Sequence, residues 1–306
     1  MKYAYLLLLS LLSMTESVAQ PTASSLDAAY REQSTRQLEQ YLQAWQQVSV
    51  PITAAERASL TAYQQQAYAV FTAFYKPHQI DSLGGSEWGN NIYQQARFLL
   101  VQNSLKIKQT DKIHYADAEV DSIITRPYRT KTDSTQQVPA WTQRVNGKLP
   151  NLARRNYGLL GDSFFQEREQ RAPRRVVDSL PDFRPLVQVP GKQSIYLTPA
   201  LCETLAAFLG NQHTPLGRSG TMQPARARQE SQKRQAFLER QLKVWYGHWG
   251  GYWQLASYPL VSAITFDRNL TYARVSFRMV YEGGEAILKR TNGQWSIVLV
   301  QRTWIE

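Results

Sequence analysis

Apolar residues recur at intervals of three and four near the start of the chain, which is the spacing of one helix face. The first face predicts a helix that ends near Val48. The sequence Thr53-Ala54-Ala55-Glu56 is a capping box that predicts the start of a second helix, with Pro77 after its end. Two amphipathic helices joined by a short linker favour a helical hairpin. The predicted faces are Leu38, Tyr41, Leu42, Trp45 and Val48, and Leu60, Tyr63, Ala67, Val70, Phe71 and Phe74.

The middle of the chain predicts strands and then an irregular stretch. Residues 96–128 have the pattern of strands. Residues 132–182 contain prolines, many Arg and Gln residues and little periodicity, which predicts a long irregular connection with a short helix near residues 162–170. Residues 183–198 predict two short strands around a turn at Pro190-Gly191.

Two further helices are predicted before the last strands. Thr198 and Pro199 mark the start of one, because Thr is a good N-cap and Pro suits the first helical position, and Gly210 marks its end. A basic helix is predicted from about residue 229 to residue 246. The inward faces are Leu201, Leu205, Phe208 and Leu209, and Phe237, Leu238, Leu242 and Trp245.

Three turn signals divide the C-terminal part into four strands: Arg268-Asn269, Gly283-Gly284 and Asn292-Gly293. Short loops of this kind favour tight hairpins, and the register of a hairpin decides which side chains share a face. The predicted opposite pairs are Ile264–Ala273, Phe266–Thr271, Tyr281–Ala286, Met279–Leu288, Leu288–Ile297 and Arg290–Trp295. They collect one apolar face: Ile264, Phe266, Ala273, Val275, Phe277, Met279, Tyr281, Leu288, Ile297 and Leu299.

The N-terminus indicates export. Lys2, the apolar run 3–12, and the small residues Ser17 and Ala19 before Gln20 form the pattern of a secretory signal peptide. The run is shorter than the ~20 residues of a membrane span, and no later segment is apolar enough to span. We therefore expect a soluble protein that is periplasmic or extracellular, with no transmembrane segment after signal removal.

The chain is basic, with a formal net charge of +11 and a single cysteine. Its positive residues are spread out and accompany no nucleic-acid motif, so no nucleic-acid partner is expected. A solvated basic surface and a weak contact with an anionic envelope surface are the two interpretations of this charge. Cys202 cannot form an internal disulfide, and its place in an apolar helix predicts an inert core thiol rather than a catalytic nucleophile.

The order of elements in residues 198–306 resembles an NTF2-like (SnoaL-like) domain. The resemblance rests on this order and on the pattern Trp295-Ser296-Ile297 after an Asn-Gly turn. It implies an α+β fold in which helices pack on a strongly bent antiparallel sheet, forming a cone with an internal cavity. Here a helical hairpin and short strands precede it. The predicted organisation is a signal peptide (1–19), an N-terminal α+β region (20–131), an irregular basic connection (132–182) and the NTF2-like domain (183–306).

That family includes isomerases, dehydratases and many non-catalytic binding domains. Its enzymes place an Asp, Glu or His inside the cone. No residue of this chain matches such a motif one by one, so none is assigned as catalytic. The sequence also lacks the spacing of a metal site and the glycine-rich loop of a phosphate site, so no metal and no cofactor are expected.

The stretch WYGHWGGYWQ, residues 245–254, is the most unusual in composition. One interpretation is an aromatic plug that closes one end of the cone, since buried aromatic rings usually serve packing. The other is an aromatic mouth that binds a small amphipathic ligand or a protein segment, with His248 as a polar contact. The candidate ligand-binding residues are Tyr246, His248, Trp249, Tyr252 and Trp253.

Two groups of acidic residues are candidates for a catalytic pair or a metal site. Glu282 and Glu285 flank the predicted Gly-Gly turn, where they are either an acid–base pair or solvated carboxylates beside Arg278 and Lys289. The second group is His114, Asp117, Glu119 and Asp121, in which strand alternation sets the histidine apart from the acids and argues against a metal site.

The sequence as a whole favours an exported, non-enzymatic binding or interaction protein. The alternative is a cofactor-free NTF2-like enzyme of isomerase, dehydratase or hydrolase type, with an in-pocket His or carboxylate as general base.

Overall fold

The computed structural model describes residues 21–83, 89–110, 113, 175–210, 225–246 and 253–305, and of residues 175–177, 225–228 and 301–305 it describes the backbone alone. The predicted signal peptide and residues 132–174 of the predicted connection lie outside these ranges. The helices are α1 (Ala23–Arg31), α2 (Thr35–Val48), α3 (Ala54–Ala58), α4 (Ala62–Phe74), a 3-10 helix (Ile80–Leu83), α5 (Pro199–Phe208) and α6 (Ala225–Leu238). The strands are β1 (Phe98–Gln102), β2 (Leu105–Thr110), β3 (Arg175–Leu180), β4 (Gln193–Leu197), β5 (Trp245–Tyr246), β6 (Trp253–Gln254), β7 (Leu260–Asp267), β8 (Tyr272–Met279), β9 (Glu282–Thr291) and β10 (Gln294–Ile305).

The α+β class is confirmed, but the main sheet is mixed rather than antiparallel. Six strands lie in the order β10-β9-β8-β7-β2-β3, and β2 runs parallel to β7. A separate parallel pair joins β1 to β4, and β5 pairs with β6. The sheet thus joins strands from both sides of residue 183. Within the described ranges, none of the helices combines the length and the apolarity that crossing a bilayer requires.

The N-terminal helices form as predicted but do not pack as a hairpin. The side chains of α2 that face inward belong to one hydrophobic core, whereas those of α4 belong to another. The capping box at Thr53 is present, yet it opens only the short α3, and a second box formed by Thr61 and Gln64 opens α4. Val48, placed on the buried face by its spacing, is 42% exposed in the last turn of α2.

Three smaller predictions also need correction. Residues 175–180, assigned to the irregular connection, form β3 at the edge of the sheet. Only the second of the two strands expected around Pro190 exists, as β4. The basic helix ends at Leu238 rather than near residue 246, so Trp245 lies in β5 and not on a helix face. The helix from Pro199 to Phe208, capped by Thr198, is confirmed.

The registers of the C-terminal hairpins differ from prediction by even steps. Across β7 and β8, Ile264 faces Val275 instead of Ala273. The β8–β9 turn lies at Val280-Tyr281, so Met279 faces Glu282 instead of Leu288. The Asn292-Gly293 turn and its pairs are confirmed. Because side chains alternate with a period of two, even shifts leave the faces unchanged.

One residue of the predicted apolar face is nevertheless on the other side. A bulge in β10 between Ile297 and Leu299 makes Leu299 the partner of Ile287, whose side chain lies on the opposite face from Leu288. Val300 takes its place beside Ala286 and packs against the core. Leu299 and Ile287 are both buried on their own face, so part of that face is covered as well.

Arg184 ties the α3 segment to the chain that follows β3. Its guanidinium binds Glu56 at 3.0 Å and Asp182 at 2.9 Å, and it donates to the carbonyl of Val50 at 3.0 Å. The backbone N–H of Thr53, the Thr53 hydroxyl and Arg184 together lower the pKa of Glu56 from 4.5 to about 2.

This depressed pKa predicts an acid-dependent contribution to stability. A carboxylate with a lowered folded-state pKa stabilises the fold above its unfolded pKa and loses that contribution as pH falls to the folded value. Glu56→Gln keeps an acceptor for the Thr53 N–H but does not titrate. We expect wild type to exceed this variant in urea stability above pH 4.5 and to lose that excess by about pH 2. An excess of equal size at both ends of this window would contradict the assignment.

Candidate functional site

The sheet face on which a cone cavity was expected is packed by α4. Phe74 meets Phe277 with ring centroids 5.1 Å apart. The indole N–H of Trp295 donates to Gln66 at 2.8 Å, and its ring lies 5.9 Å from that of Phe266. Phe277 and Met279 are each 3% exposed. The described side chains on this face therefore form a hydrophobic core. Most of them belong to the apolar face that the strand pattern predicts, but they pack against α4 instead of lining a cavity.

An open cleft of about 360 Å³ lies instead between residues 77–99 and the turn at residues 189–192. It forms where two turns are brought together by the parallel pairing of β1 and β4, which sets Phe98 beside Gln193. The turn before β4 closes with Lys192 N–H donating to the Val189 carbonyl at 3.0 Å, and Gly191 adopts a φ of +70° there. The described lining residues are Pro77, His78, Asn90, Asn91, Tyr93, Gln94, Leu99, Val189, Pro190 and Lys192.

The cleft has an apolar floor and a polar rim. Leu99 is fully buried and Tyr93 is 4% exposed, while Asn91, Gln94 and His78 are exposed. The Asn90 side chain accepts from the backbone N–H of Asp81 at 3.0 Å, so it serves the 3-10 helix as a cap. A concave apolar surface with a few fixed polar groups is the usual make-up of a small-molecule site.

Lys192 is the most constrained polar group of the cleft. Its ammonium donates to the carbonyls of Gln94 at 2.8 Å and Ala96 at 2.6 Å, which holds the turn before β1 against the turn before β4. Burial lowers the pKa of Lys192, because desolvation disfavours the charged form. Among the residues that the structure describes, no carboxylate forms an ion pair with Lys192.

A buried hydrogen-bond network fixes Tyr93 behind the cleft. The Tyr93 hydroxyl accepts from the backbone N–H of Tyr258 at 2.6 Å. The hydroxyl of Tyr75 donates to the carbonyl of Ser257 at 3.2 Å, and Ser257 in turn accepts the Leu100 N–H at 2.9 Å. Burial raises the pKa of Tyr93, so its phenol remains neutral. The hydrogen bond to Tyr258 holds the Tyr93 hydroxyl in place at the back of the cleft.

Only two of the five predicted ligand-binding residues fall within the described residues. Tyr246 and Trp253 face each other across β5 and β6 with ring centroids 5.0 Å apart in an edge-on arrangement. Tyr246 is 52% exposed, while Trp253 packs against the second hydrophobic core. The structure thus brings this pair together. His248, Trp249 and Tyr252 lie outside the described residues, and their role stays a prediction.

The acidic pair differs from expectation. Glu282 is 1% exposed, because the turn lies two residues earlier and the side chain falls on the core face opposite Met279. Glu285 lies on the other face, 3.4 Å from the buried Arg274 guanidinium and within 3.4 Å of the Ser276 hydroxyl. The two carboxylates therefore do not form a pair, and the partner of Glu285 is Arg274 rather than Arg278 or Lys289.

The remaining candidates are Cys202 and the group around His114. Cys202 is half-buried on α5 against the second core, and burial raises the pKa of its thiol, which disfavours the nucleophilic thiolate. His114, Asp117, Glu119 and Asp121 lie outside the described residues. In the part of the chain that the structure covers, no three His, Cys, Asp or Glu residues come together as a metal ion would require.

Sequence reasoning missed the cleft. In the sequence, Pro77 indicates only the end of a helix and Pro190-Gly191 only a turn, and Tyr93 and Lys192 belong to no motif. Their convergence depends on a parallel pairing between strands about ninety residues apart in the chain, a contact that local pattern does not reveal.

Site and fold together describe an α+β protein with a mixed sheet and a cleft at the start of its smaller parallel sheet. No protein family, no characterised protein and no solved structure matches this chain.

Proposed function

We propose that this chain is an exported, non-enzymatic binding protein that holds a small amphipathic ligand in the cleft between the turns before β1 and β4. The observation that carries the proposal is the make-up of the cleft: an apolar floor of Leu99, Tyr93 and Val189 below a rim of amide and cationic groups. Its volume of about 360 Å³ lies in the range of small-molecule sites. Export rests on the N-terminal signal pattern.

We also propose that the C-terminal strands are a diverged NTF2-like sheet. Support comes from the β7–β10 hairpins, from α4 packed across one face, and from bulges in β7 and β10, which bend the strands that contain them. In this proposal α4 occupies the region where the family's cavity lies, which is why the binding site is assigned to the cleft.

Native mass spectrometry of the protein purified from its own host tests binding. We expect a retained small molecule in wild type and its loss in Gln94→Trp, because an indole at this exposed lining position fills the cleft. Gln95→Trp is the matched control: it adds the same bulk one residue along, at an exposed position that does not line the cleft. Retention by Gln94→Trp, or loss from both variants alike, would contradict the site.

The aromatic corner is a second candidate site, favoured by the exposed Tyr246 ring beside Trp253. Tyr246→Ala should change the free energy of unfolding by no more than about 0.5 kcal/mol, the range typical of exposed substitutions. If the corner is the site, this variant loses the retained molecule and Gln94→Trp keeps it. The opposite result assigns binding to the cleft.

A further inference from the structure

The charge of the cleft bears on what it binds, and this inference rests on the proposed binding function. Apart from the neutral Tyr93 phenol, the ionisable side chains among the described lining residues are Lys192 and His78, both of which bear positive charge when protonated. None of the described lining residues is Asp or Glu. Asp81 is held nearby through its backbone N–H by Asn90, but it is not one of the lining residues.

The ammonium of Lys192 is only partly satisfied by its surroundings. It carries three N–H donors, and two of them reach the carbonyls of Gln94 and Ala96. Both acceptors are neutral, so they solvate the charge without compensating it. Lys192 is only partly buried, so its charge is partly removed from water, which is unfavourable where no opposite charge accompanies it. A bound anion would supply that charge and accept the third N–H bond.

The shape of the cleft describes the rest of the ligand. The buried Leu99 and the Tyr93 ring give an apolar floor, and Pro77 and Pro190 add apolar walls. The Asn91 and Gln94 amides at the rim can donate to further anion oxygens.

We propose that the cleft binds a small organic anion, with a carboxylate-type head at Lys192 and a flat apolar body over Leu99 and Tyr93. Charge-assisted hydrogen bonds are stronger than neutral ones, so the anionic head provides selectivity while the floor provides contact area.

Three one-ring probes of the same size and different charge test the proposal: benzoate, benzamide and benzylamine. Binding to the full mature protein is measured by titration with protein-observed NMR at constant ionic strength. Benzoate should bind about tenfold or more tightly than benzamide, the factor that one charge-assisted hydrogen bond provides, and benzylamine should bind most weakly. Benzamide or benzylamine binding as tightly as benzoate would overturn the proposal.

Two variants locate the selectivity. Lys192→Met should reduce benzoate affinity about tenfold and leave that of benzamide nearly unchanged. Since Lys192 also braces two turns, Asn91→Asp provides a variant that keeps this brace: it adds a carboxylate at an exposed rim position and should weaken benzoate while strengthening benzylamine. Gln95→Asp, with the same added charge outside the lining, should change neither. Equal effects of Asn91→Asp and Gln95→Asp would overturn the assignment to the cleft.

The outcomes separate this inference from the binding function itself. If benzamide and benzoate bind equally and both are lost in Gln94→Trp, the cleft is a binding site without anion selectivity, and only the ligand class is wrong. If none of the three probes binds wild type and no molecule is retained from the host, the cleft is not a ligand site and both proposals fail.

Discussion

Phe277→Ala is expected to lower the free energy of unfolding by about 3–5 kcal/mol, the usual cost of removing a buried phenylalanine ring. The ring is 3% exposed and packs on Phe74 of α4 at 5.1 Å. Across the sheet its neighbour is Gly284, which has no side chain to fill the space left behind. Urea denaturation followed by far-UV circular dichroism measures the change as a shift of the midpoint.

Phe277→Leu is the graded comparison, because it retains most of the apolar volume and should cost clearly less than the alanine variant. Leu186→Ala is the surface control: that side chain is 55% exposed, and its removal should change stability by no more than about 0.5 kcal/mol. A Phe277→Ala midpoint as close to wild type as that of Leu186→Ala would mean that Phe277 does not face the core.

Phe237→Ala should have an effect of similar size in the second hydrophobic core, about 3–5 kcal/mol. Phe237 is 1% exposed at the end of α6, and its ring meets that of Tyr30 on α1 edge-on at 5.5 Å. The Arg240 guanidinium lies 5.1 Å from the ring centroid and adds a cation–π contact. Thermal and urea unfolding measure the loss.

The companion variant Arg240→Met keeps Phe237 and removes the cation–π contact, about 0.5–1 kcal/mol at an exposed site, together with the guanidinium hydrogen bonds to Gln33 at 2.9 and 2.8 Å. The double variant Phe277→Ala/Phe237→Ala asks whether the cores are independent. Residues in separate clusters should give additive losses within about 0.5 kcal/mol. A second unfolding transition in either single variant would show instead that the two cores melt separately.

The faces of the C-terminal sheet could be predicted from sequence although two of its turns could not. Gly283-Gly284 favours a tight turn, but both glycines lie within β9, where Gly284 pairs with Phe277, and the chain turns at Val280-Tyr281 instead. Strand pairing and burial of the flanking residues thus outweigh the local preference of glycine. The error of register was even, so the apolar face survived it, and the bulge before Leu299 caused the single exchange of faces.

The site was far less predictable than the faces. Helix caps such as Thr53 and Thr198 depend on neighbouring residues and could be recognised locally. The cleft depends on β1 lying parallel to β4, and the sheet on β2 lying parallel to β7. Parallel pairing needs a long crossover connection and leaves no turn signature between the paired strands. The many aromatic residues at 245–254 predict a binding site there, whereas the residues that line the cleft have an ordinary composition.

Contacts between segments far apart in the chain, such as the pairing of β2 with β7, also affect when the protein can fold during its synthesis. Leu100 and Ser257 are 157 residues apart in the chain and are joined by a backbone and a side-chain hydrogen bond. Gln66 accepts a hydrogen bond from Trp295, which lies 229 residues later. Contacts of such long range slow folding, because a large loop must close before they form. The core that packs α4 on β7–β10 therefore cannot be completed while the ribosome is still making these strands, whereas the last described residue of the second core is Leu255. Until those strands emerge, the apolar side chains that they will cover stay exposed, and this part of the chain depends on chaperones.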